Sequence, residues 1–575
     1  MRLRTGGLKM IDFKKQLSEL LTQYIADVDS DEIYSMIELP PNSEMGDFAF
    51  PCFKLAKTLR KAPQMIASEL IQNIKLPEGF DNVKSEGAYI NFFVDRKFYI
   101  NEIVKEVLHQ GPKYGSQSIG NGKTVCIDFS APNIAKPFHV GHLRSTVIGN
   151  ALYRINQFLG YECIGINHLG DWGTQFGKVI VAYKNWGVKE EIEKEPISTL
   201  LNLYVRFHDE AESRPELEDE ARGWFVKMEQ GNEEALELWR WFSTETINEL
   251  KKIYSLLGVT FDHYTGESFY NDKIGGVLSE LKDKNLLEES EGATIVNLEQ
   301  YSMPPCLVQK KDGSTLYATR DIAAALYRKS NYDFHKCIYV TDYSQNLHFS
   351  QWFKVIELMG HDWAKDLVHV PFGRVTHEGR RIQTRKGTIV LLEEVLTGAI
   401  DRIKEIVEEK NPNIANKEEI AKSVGVGAVI FNDLSNNRIK DISFSWDTAF
   451  SFEGETGPYV QYTHARACSV LRKANIEVDS SIDTSLIKDD ITLEVIKNIQ
   501  QFPVIIVDAQ RKNEPSIITR HIIDLAQAFN RFYNEHQILV EDENLKKARV
   551  VVVAAARQVL EIGLNLLGID APKEM

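Results

Sequence analysis

The sequence predicts an α/β protein built around an open, parallel β-sheet. Apolar residues alternate over 125–129 as in a strand, and they recur at helical spacing over 143–159. Gly160 ends this helix, and a second apolar strand follows at 163–166. A strand, a helix and a strand in this order form one βαβ unit. Because ligands of such sheets bind beyond the carboxyl ends of the strands, we expect the site at the loops that follow these two strands.

Length and composition indicate a globular protein of several domains. A chain of 575 residues is too long for one hydrophobic core, so we expect three or four domains. Its composition, 43% hydrophobic and 26% charged, is typical of folded proteins. The formal net charge of −15 argues mildly against nucleic-acid binding, which would require the Lys and Arg side chains to be concentrated on one face.

The cysteines and the hydropathy predict a cytoplasmic protein without zinc. The six cysteines are scattered and form no CxxC pair, which is typical of reduced thiols that bind no metal. No apolar run is long enough to span a bilayer, and the first residues do not follow the pattern of a signal peptide. We therefore expect a protein that has neither a membrane segment nor a metal site.

The loop after the first strand carries two histidines suited to binding phosphate. His139 and His142 are three residues apart at the start of the helix, so both rings should lie on one face beside its partly positive end. Two imidazole donors and the backbone N–H groups can hold phosphate oxygens. Gly141 leaves room for a flat purine against the backbone. The alternative is that the two histidines only cap a buried helix.

A second segment, LYATRDIAAALYR, has a pattern that suits a guanidinium. Tyr317 and Asp321 are four residues apart, hence on one face of a predicted helix. A carboxylate beside an aromatic ring offers a guanidinium both bidentate pairing and stacking. Asp321 could instead be a helix cap, and the pattern alone leaves that alternative open.

The string SAPNIAKPFHVGHLRS resembles the HIGH signature of class I aminoacyl-tRNA synthetases, and in particular that of the arginyl-tRNA synthetase family. The resemblance extends over essentially the whole chain. It implies a Rossmann-like catalytic core, an N-terminal α/β domain and a C-terminal helical bundle that binds the anticodon. The implied bounds are 10–115 for a tRNA-contacting domain, 116–375 for the core with an insertion at about 185–300, 376–450 for the signature loop and stem contacts, and 451–575 for the bundle.

The resemblance also implies residue roles. The ATP phosphates would be bound by His139 and His142, and Gly141 would belong to the ATP site. The segments that contain Tyr317, Asp321 and Gln345 match the family's arginine-binding segments position by position, and Asn133 falls where the family has a residue that contacts the amino acid. The residues expected to bind L-arginine are Asp128, Asn133, His168, Tyr317, Asp321 and Gln345.

The second class I signature, the KMSKS loop, is incomplete in this chain. The segment Thr384-Arg385-Lys386-Gly387 retains part of the pattern but lacks the second lysine. In some members of the family, a lysine just before the HIGH motif compensates for it, and Lys136 stands at that place. Arg385, Lys386 and Lys136 are therefore expected to act on the phosphates, with the division of roles between Arg385 and Lys386 left open.

The C-terminal helices contain candidate RNA contacts. Tyr459, Tyr462 and Arg466 share one face of a predicted helix, and Tyr533 lies on a later one. Aromatic rings beside arginine can stack on unpaired bases, although packing residues show the same spacing. By the resemblance, these four residues are expected to bind tRNA.

The expected activity is attachment of L-arginine to tRNA(Arg) through an arginyl-adenylate formed from ATP, with Mg²⁺ accompanying the ATP and the protein acting as a monomer. The first rival is another class I synthetase. A cysteinyl enzyme would need zinc ligands, and an enzyme for an apolar amino acid would carry a large editing insertion and lack Asp321. The second rival is a non-catalytic RNA-binding relative, which would be expected to have lost the motif histidines.

Overall fold

The computed structural model describes residues 12–25, 28–40, 43–134, 138–310, 316–377, 380–381, 391–444, 450–479 and 481–575. The chain divides into two compact units. The first comprises Met1–Gly115, Arg466–Pro503 and Asp524–Leu560, and the second comprises Ser116–Ala465, Val504–Ile523 and Glu561–Met575.

The helices and strands are numbered along the chain. The α-helices of the described residues, α1 to α20, are Phe13–Thr22, Ser30–Met36, Ala56–Leu59, Pro63–Asn73, Arg96–Gln110, Val140–Phe158, Thr174–Trp186, Lys189–Lys194, Pro196–Ser213, Glu216–Glu229, Glu233–Leu257, Ile274–Asp283, Tyr317–Tyr332, Asn346–Leu358, Leu392–Lys410, Lys417–Leu434, Gly457–Ala474, Asp490–Lys512, Ser516–Glu535 and Glu543–Leu566. The strands, β1 to β14, are Phe48–Pro51, Phe80–Glu86, Tyr89–Val94, Thr124–Asp128, Glu162–Asn167, His263–Tyr264, Glu288–Ser290, Ala293–Val296, Cys306–Gln309, Lys336–Asp342, Leu367–Phe372, Val375–His377, Arg380–Arg381 and Ile442–Phe444.

The first unit combines an N-terminal sheet with later helical segments. The three strands β1–β3 form an antiparallel sheet in the order β1-β3-β2. Polar contacts join the sheet region to the segment 466–503: Lys497 pairs with Asp47 at 2.7 Å in a partly buried position, and the buried Tyr114 hydroxyl donates to the Ile499 carbonyl at 3.1 Å. The N-terminal residues therefore do not fold only on themselves, since they share a compact unit with part of the C-terminal helices.

The second unit is organised around a five-stranded sheet. Its order is β11-β10-β4-β5-β6, and every neighbouring pair is parallel. This confirms the predicted βαβ unit, which is formed by β4, α6 and β5. The strand β6 lies inside the predicted insertion and pairs with β5, so that part of the chain also contributes to the central sheet, and the helical pattern of the segment did not indicate this.

Both faces of the sheet are covered by helices. Cys126, Ile166 and Cys337 pack in one buried cluster with residues of α13 and α14. Side chains of successive strand residues point to opposite faces, so Val125 and Ile127 face the other side, where α6 packs on the sheet. The start of α6 is thereby fixed at the carboxyl ends of β4 and β10.

Candidate active site

The two motif histidines lie at the first turn of α6 and contact each other. His139 is the N-cap residue, and its Nδ1 accepts a hydrogen bond from the Gly141 N–H at 3.0 Å. The His142 Nδ1 accepts one from the His139 N–H at 3.2 Å, and the two ring centroids are 4.1 Å apart. In the neutral imidazoles the proton then lies on Nε2, which is the donor atom. The histidines do cap the helix, and this capping also sets the tautomer that a phosphate site needs.

Gly141 is required by the position of the His139 ring. A Cβ atom at Gly141 would lie 2.7 Å from Cε1 and 2.8 Å from Nδ1 of His139. Any larger residue would therefore displace the ring from the helix terminus. This steric reason stands beside the space for a purine that the sequence suggested.

The loop after β4 is held in an uncommon backbone conformation. Ser130 and Ala131 have φ angles of 72° and 46°, which non-glycine residues seldom adopt. The Ser130 N–H donates to the Ser145 Oγ at 2.9 Å, and that hydroxyl donates to the Val340 carbonyl at 2.7 Å. Strained backbone of this kind persists where the surroundings over-determine it, and it is concentrated at functional sites.

A cleft of about 490 Å³ opens between this loop, the start of α6 and the ends of β10 and β11. Its walls combine backbone, imidazole, amide, carboxylate and guanidinium groups. The lining residues are Ser130, Ala131, Asn133, His139, Gly141, His142, Ser145, Val340, Thr341, Asp342, Gln345, Phe372, Arg374 and Val375. Five of the sequence-predicted site residues thus meet in one cleft: Asn133, His139, Gly141, His142 and Gln345.

Asn133 is held against the second loop predicted to form the site. The Ile134 N–H donates to the Gly170 carbonyl, and the Gly170 N–H donates to the Pro132 carbonyl, both at 3.0 Å. A Cβ at Gly170 would come within 2.2 Å of the Asn133 Oδ1. Gly170 of this second loop therefore makes room for the Asn133 side chain.

Asp128 and His168 do not line the cleft. The Asp128 carboxylate pairs with Arg328 at 2.7 Å, and both side chains are buried. The half-buried His168 ring packs near Tyr270, with ring centroids 5.6 Å apart, and its Nδ1 is buried without a hydrogen-bond partner among the described residues. No sequence pattern near Asp128 indicates that its carboxylate pairs with Arg328.

Asp321 is not a helix cap. The helix α13 begins at Tyr317 after the N-cap residue Leu316, and the Asp321 Oδ2 contacts the His348 Nε2 at 2.5 Å. The capping alternative is therefore wrong. The Tyr317 side chain is 65% exposed. The contact joins two helices, since Asp321 belongs to α13 and His348 to α14.

The incomplete signature belongs to the segment 373–387, of which the structure describes residues 373–377 and 380–381. Strand β12 pairs with β13 and with β14. Leu391, where the description resumes after 382–390, forms a β-bridge with His139. Lys136, Arg385 and Lys386 lie outside the described residues, so their predicted roles stay predictions.

Arg144, which is not among the predicted site residues, connects α6 to the segments that contain Gly373 and Lys440. Arg144, on α6, is fully buried, and its Nη1 donates to the carbonyls of Gly373 at 2.8 Å and Lys440 at 2.6 Å. Its Nε lies 3.4 Å from the Asp433 Oδ1. Burial raises the pKa of the Asp433 carboxyl to about 6, and Arg144 opposes this shift. A sequence signal for the burial of Arg144 was present, because this residue lies on the same face of the predicted helix as Val147 and the apolar residues that follow it.

The four predicted tRNA contacts differ in exposure. Tyr462 is 40% exposed and Tyr533 is 37% exposed, whereas Tyr459 is half-buried. The Arg466 guanidinium lies 5.0 Å from the centroid of the Tyr533 ring and hydrogen-bonds Asn530. Tyr462 and Tyr533 therefore present the most ring surface to solvent.

The described residues contain no group of three or more His, Cys, Asp or Glu side chains arranged to hold a metal ion. None of their helices combines the length and the apolar character needed to cross a membrane.

Three family models match consecutive parts of the chain. The catalytic domain of "tRNA synthetases class I (R)" matches residues 103–446, the "DALR anticodon binding domain" matches 460–575, and the "Arginyl tRNA synthetase N terminal domain" matches 13–94. The first of these alone spans more than half of the chain.

Relatives and solved structures agree with these matches. An arginine–tRNA ligase of Alkaliphilus metalliredigens is 71% identical over 98% of this chain and 100% of its own length, and that of Clostridioides difficile is 58% identical over the same shares. The arginyl-tRNA synthetase structure of Thermus thermophilus covers 98% of this chain and 99% of its own, with 26% identity and a TM-score of 0.80. That of Plasmodium falciparum has a TM-score of 0.79 at 25% identity, covering 99% of this chain and 100% of its own.

These matches confirm the predicted fold class, an α/β catalytic core with an N-terminal domain and a C-terminal helical domain. The chain therefore belongs to the class I arginyl-tRNA synthetase family, the family of arginine–tRNA ligases.

Proposed function

We propose that this arginine–tRNA ligase carries out both steps of its reaction at the cleft described above. The arginine carboxylate attacks the α-phosphate of ATP, pyrophosphate leaves, and arginyl-adenylate forms. A ribose hydroxyl of the terminal adenosine of tRNA(Arg) then attacks the adenylate carbonyl and releases AMP. The observation that carries this proposal is the pair of histidines at the start of α6, both lining the cleft with the Nδ1 atoms engaged by backbone N–H groups.

The protein's task in the first step is to hold the phosphates as charge develops on them. The Nε2–H groups of His139 and His142 would donate to phosphate oxygens, and the helix terminus would add its partial positive charge. Lys136, Arg385 and Lys386 would supply further positive charge. We expect Mg²⁺ to enter with ATP, as part of the substrate, because carboxylate-poor sites of this kind bind the ion largely through phosphate oxygens and water.

For the arginine substrate we propose the following contacts. Asn133 and Gln345 line the cleft and would hold the α-amino end and orient the guanidinium. Asp321 would pair with the guanidinium, exchanging the His348 contact for the substrate, with Tyr317 beside it. We also propose His168 as an arginine contact, although it lies outside the cleft lining. Asp128, whose carboxylate pairs with Arg328, would act by positioning the strand end.

The test of this function is charging of tRNA(Arg) by the purified protein with radiolabelled amino acids. We expect arginine to be attached in an ATP-dependent reaction and lysine to be rejected, because a compact ammonium would leave acceptors of a guanidinium site without partners. Charging of another amino acid, or no charging under conditions where the protein is folded and binds tRNA, would contradict the proposal.

Asp321→Asn should weaken arginine binding specifically. The substitution keeps the size of the side chain but removes the charge, so we expect the KM for arginine in pyrophosphate exchange, at saturating tRNA, to rise about 10- to 150-fold, and the KM for ATP to change little. His348→Gln, which can still donate to Asp321, should have a smaller effect. Asp283→Asn, at an exposed helix end, is the matched control. An unchanged KM for arginine in Asp321→Asn would place the guanidinium elsewhere.

For tRNA, we propose Tyr459, Tyr462, Arg466 and Tyr533 as contacts of the helical region. Tyr462→Ala and Tyr533→Ala should each raise the KM for tRNA(Arg), since one lost stacking platform costs about 1–3 kcal/mol. The equally exposed Tyr301→Ala is the control, expected to leave that KM unchanged. A lowered melting temperature with unchanged tRNA affinity would favour the packing alternative.

The remaining assignments are also proposals. We place tRNA contacts in residues 10–115, the catalytic domain in 116–375 with its insertion at about 185–300, the signature loop and stem contacts in 376–450, and anticodon binding in 451–575. We propose that the enzyme is a cytoplasmic monomer. Sedimentation equilibrium at micromolar concentration, with and without tRNA, would test the monomer directly.

A further inference from the structure

Arg374 lies at the base of the second signature segment with its backbone firmly held. Its N–H donates to the Asp441 Oδ1 at 2.7 Å, and its carbonyl accepts from the Ile442 N–H at 2.9 Å. The preceding Gly373 donates to the Arg438 carbonyl at 2.8 Å, and its own carbonyl accepts from the buried Arg144. The Cα of Arg374 is thus fixed relative to the helix that carries the motif histidines.

The side chain of Arg374 is held much less firmly. Its Nε lies 3.6 Å from the Asp342 Oδ2, beyond hydrogen-bond distance, and each of these side chains is 29% exposed. The guanidinium also lies 5.1 Å from the centroid of the Tyr343 ring. A partly hydrated pair at this distance contributes little free energy, so the guanidinium can change partners at small cost.

The charge of the cleft gives Arg374 a chemical role. Among the described lining residues, Arg374 is the one lysine or arginine, and it shares the cleft with His139 and His142. ATP brings several negative charges, and the segment that follows Arg374 lacks the second lysine of the class I signature. A guanidinium can bind two phosphate oxygens at once. The Asp342 carboxylate, 3.6 Å from Nε, does not hold the guanidinium firmly enough to prevent this.

We propose that Arg374 is a ligand of the ATP phosphates, with its guanidinium leaving Asp342 for phosphate oxygens when ATP binds. This inference rests on the proposed ATP site. It adds a cation from the described part of the chain to a site whose other expected cations, Lys136, Arg385 and Lys386, come from two other segments.

The experiment compares Arg374→Met, Arg374→Lys and Asp342→Asn in pyrophosphate exchange with saturating tRNA. Arg374→Met removes the charge at similar length and should raise the KM for ATP about 10- to 100-fold, with the KM for arginine within about twofold. Arg374→Lys should recover part of the loss, because it restores charge without the planar fork. Asp342→Asn removes the competing carboxylate and should lower the KM for ATP. Arg402→Met, exposed on α15, is the matched control.

The opposite pattern would overturn the inference. If Arg374 serves only to hold Asp342, then Asp342→Asn and Arg374→Met will shift the KM for arginine alike and leave that for ATP unchanged. A rise confined to the KM for tRNA would also contradict it. Titration calorimetry with ATP and with inorganic pyrophosphate gives a second readout, in which Arg374→Met must bind both more weakly. If the proposed function itself is wrong, the unaltered protein will not charge tRNA(Arg) with arginine, and this outcome is distinct from the two above.

Discussion

His139→Ala and His142→Ala are each expected to lower kcat for arginine-dependent pyrophosphate exchange by about 10²–10³, the usual effect of losing one donor that acts in the transition state. Each ring presents Nε2–H as a donor because its Nδ1 accepts a backbone N–H. That donor should matter most as charge moves onto the departing pyrophosphate. The loss should therefore fall mainly on kcat and less on the KM for ATP.

The structure supplies a way to separate this catalytic effect from the loss of a helix cap. His139 is the N-cap and His142 is the third helical position, so alanine at either place also removes a cap, which costs about 1 kcal/mol. Asparagine is a favoured N-cap, and glutamine at the third position completes a capping box. His139→Asn and His142→Gln should accordingly keep the melting temperature of the unaltered protein and still lose most of the exchange rate.

Full exchange activity in His139→Asn and His142→Gln would mean that the histidines serve only as caps. Near-normal activity in both alanine variants would reject the assignment of the ATP site altogether. His335, whose ring lies away from the cleft lining, offers a histidine control, and His335→Ala should leave kcat unchanged.

Arg144→Met is expected to lower the free energy of unfolding by about 3–5 kcal/mol, the typical cost of removing one partner from a buried ion pair. The substitution leaves the Asp433 carboxyl without its cation, and it also leaves the carbonyls of Gly373 and Lys440 without the Nη1 donor. Denaturation by urea, followed by fluorescence and by far-ultraviolet circular dichroism, would measure the loss.

The loss of stability in Arg144→Met should depend on pH, and the pKa of Asp433 gives the direction of this dependence. Burial already raises the pKa of Asp433 to about 6 in the folded protein, against about 4 in an unfolded chain. The folded state then binds more protons between these values, so this group contributes stability below about pH 4 that is lost as the pH rises to 6. Without Arg144 the folded pKa should rise further. The deficit relative to the unaltered protein should therefore be larger at pH 8 than at pH 5.

The double variant Arg144→Met/Asp433→Leu distinguishes the two sources of the loss. Removing the orphaned carboxyl should recover part of the stability that Arg144→Met loses, because an apolar pair of suitable size can replace a buried ion pair. A double variant no more stable than Arg144→Met, with a pH-independent deficit, would assign the loss to the two carbonyls and contradict the role given to Asp433.

Local pattern was sufficient for the central βαβ unit. Alternating residues gave the strand that proves to be Thr124–Asp128, and the helical repeat and Gly160 gave a helix that extends over Val140–Phe158. The spacing of His139 and His142 placed both rings at the helix start, where they now lie 4.1 Å apart. These features depend on residues that are close together in the sequence, so the hydrophobic periodicity of the sequence is sufficient to predict them.

Contacts between distant segments were beyond such reasoning. The Asp128 carboxylate pairs with Arg328, 200 positions later, and Asp321 pairs with His348 from the next helix. Nothing in the neighbourhood of Asp128 indicates which charge it will meet, because a partner is chosen by how strands and helices pack.

The sequence by itself determined the fold class, the family and the residue types at the positions that we propose to bind phosphate and a guanidinium. Only the tertiary structure decided which of them share a cleft. Its lining includes Asn133, His139, Gly141, His142 and Gln345, and Arg374 joins them, whereas Asp128, His168, Tyr317 and Asp321 are not part of it. The reason is physical. Residue type and short-range spacing fix what a side chain can bind, whereas its distance to another segment depends on sheet order and on buried pairs such as that of Arg144, which form only when the whole core is packed.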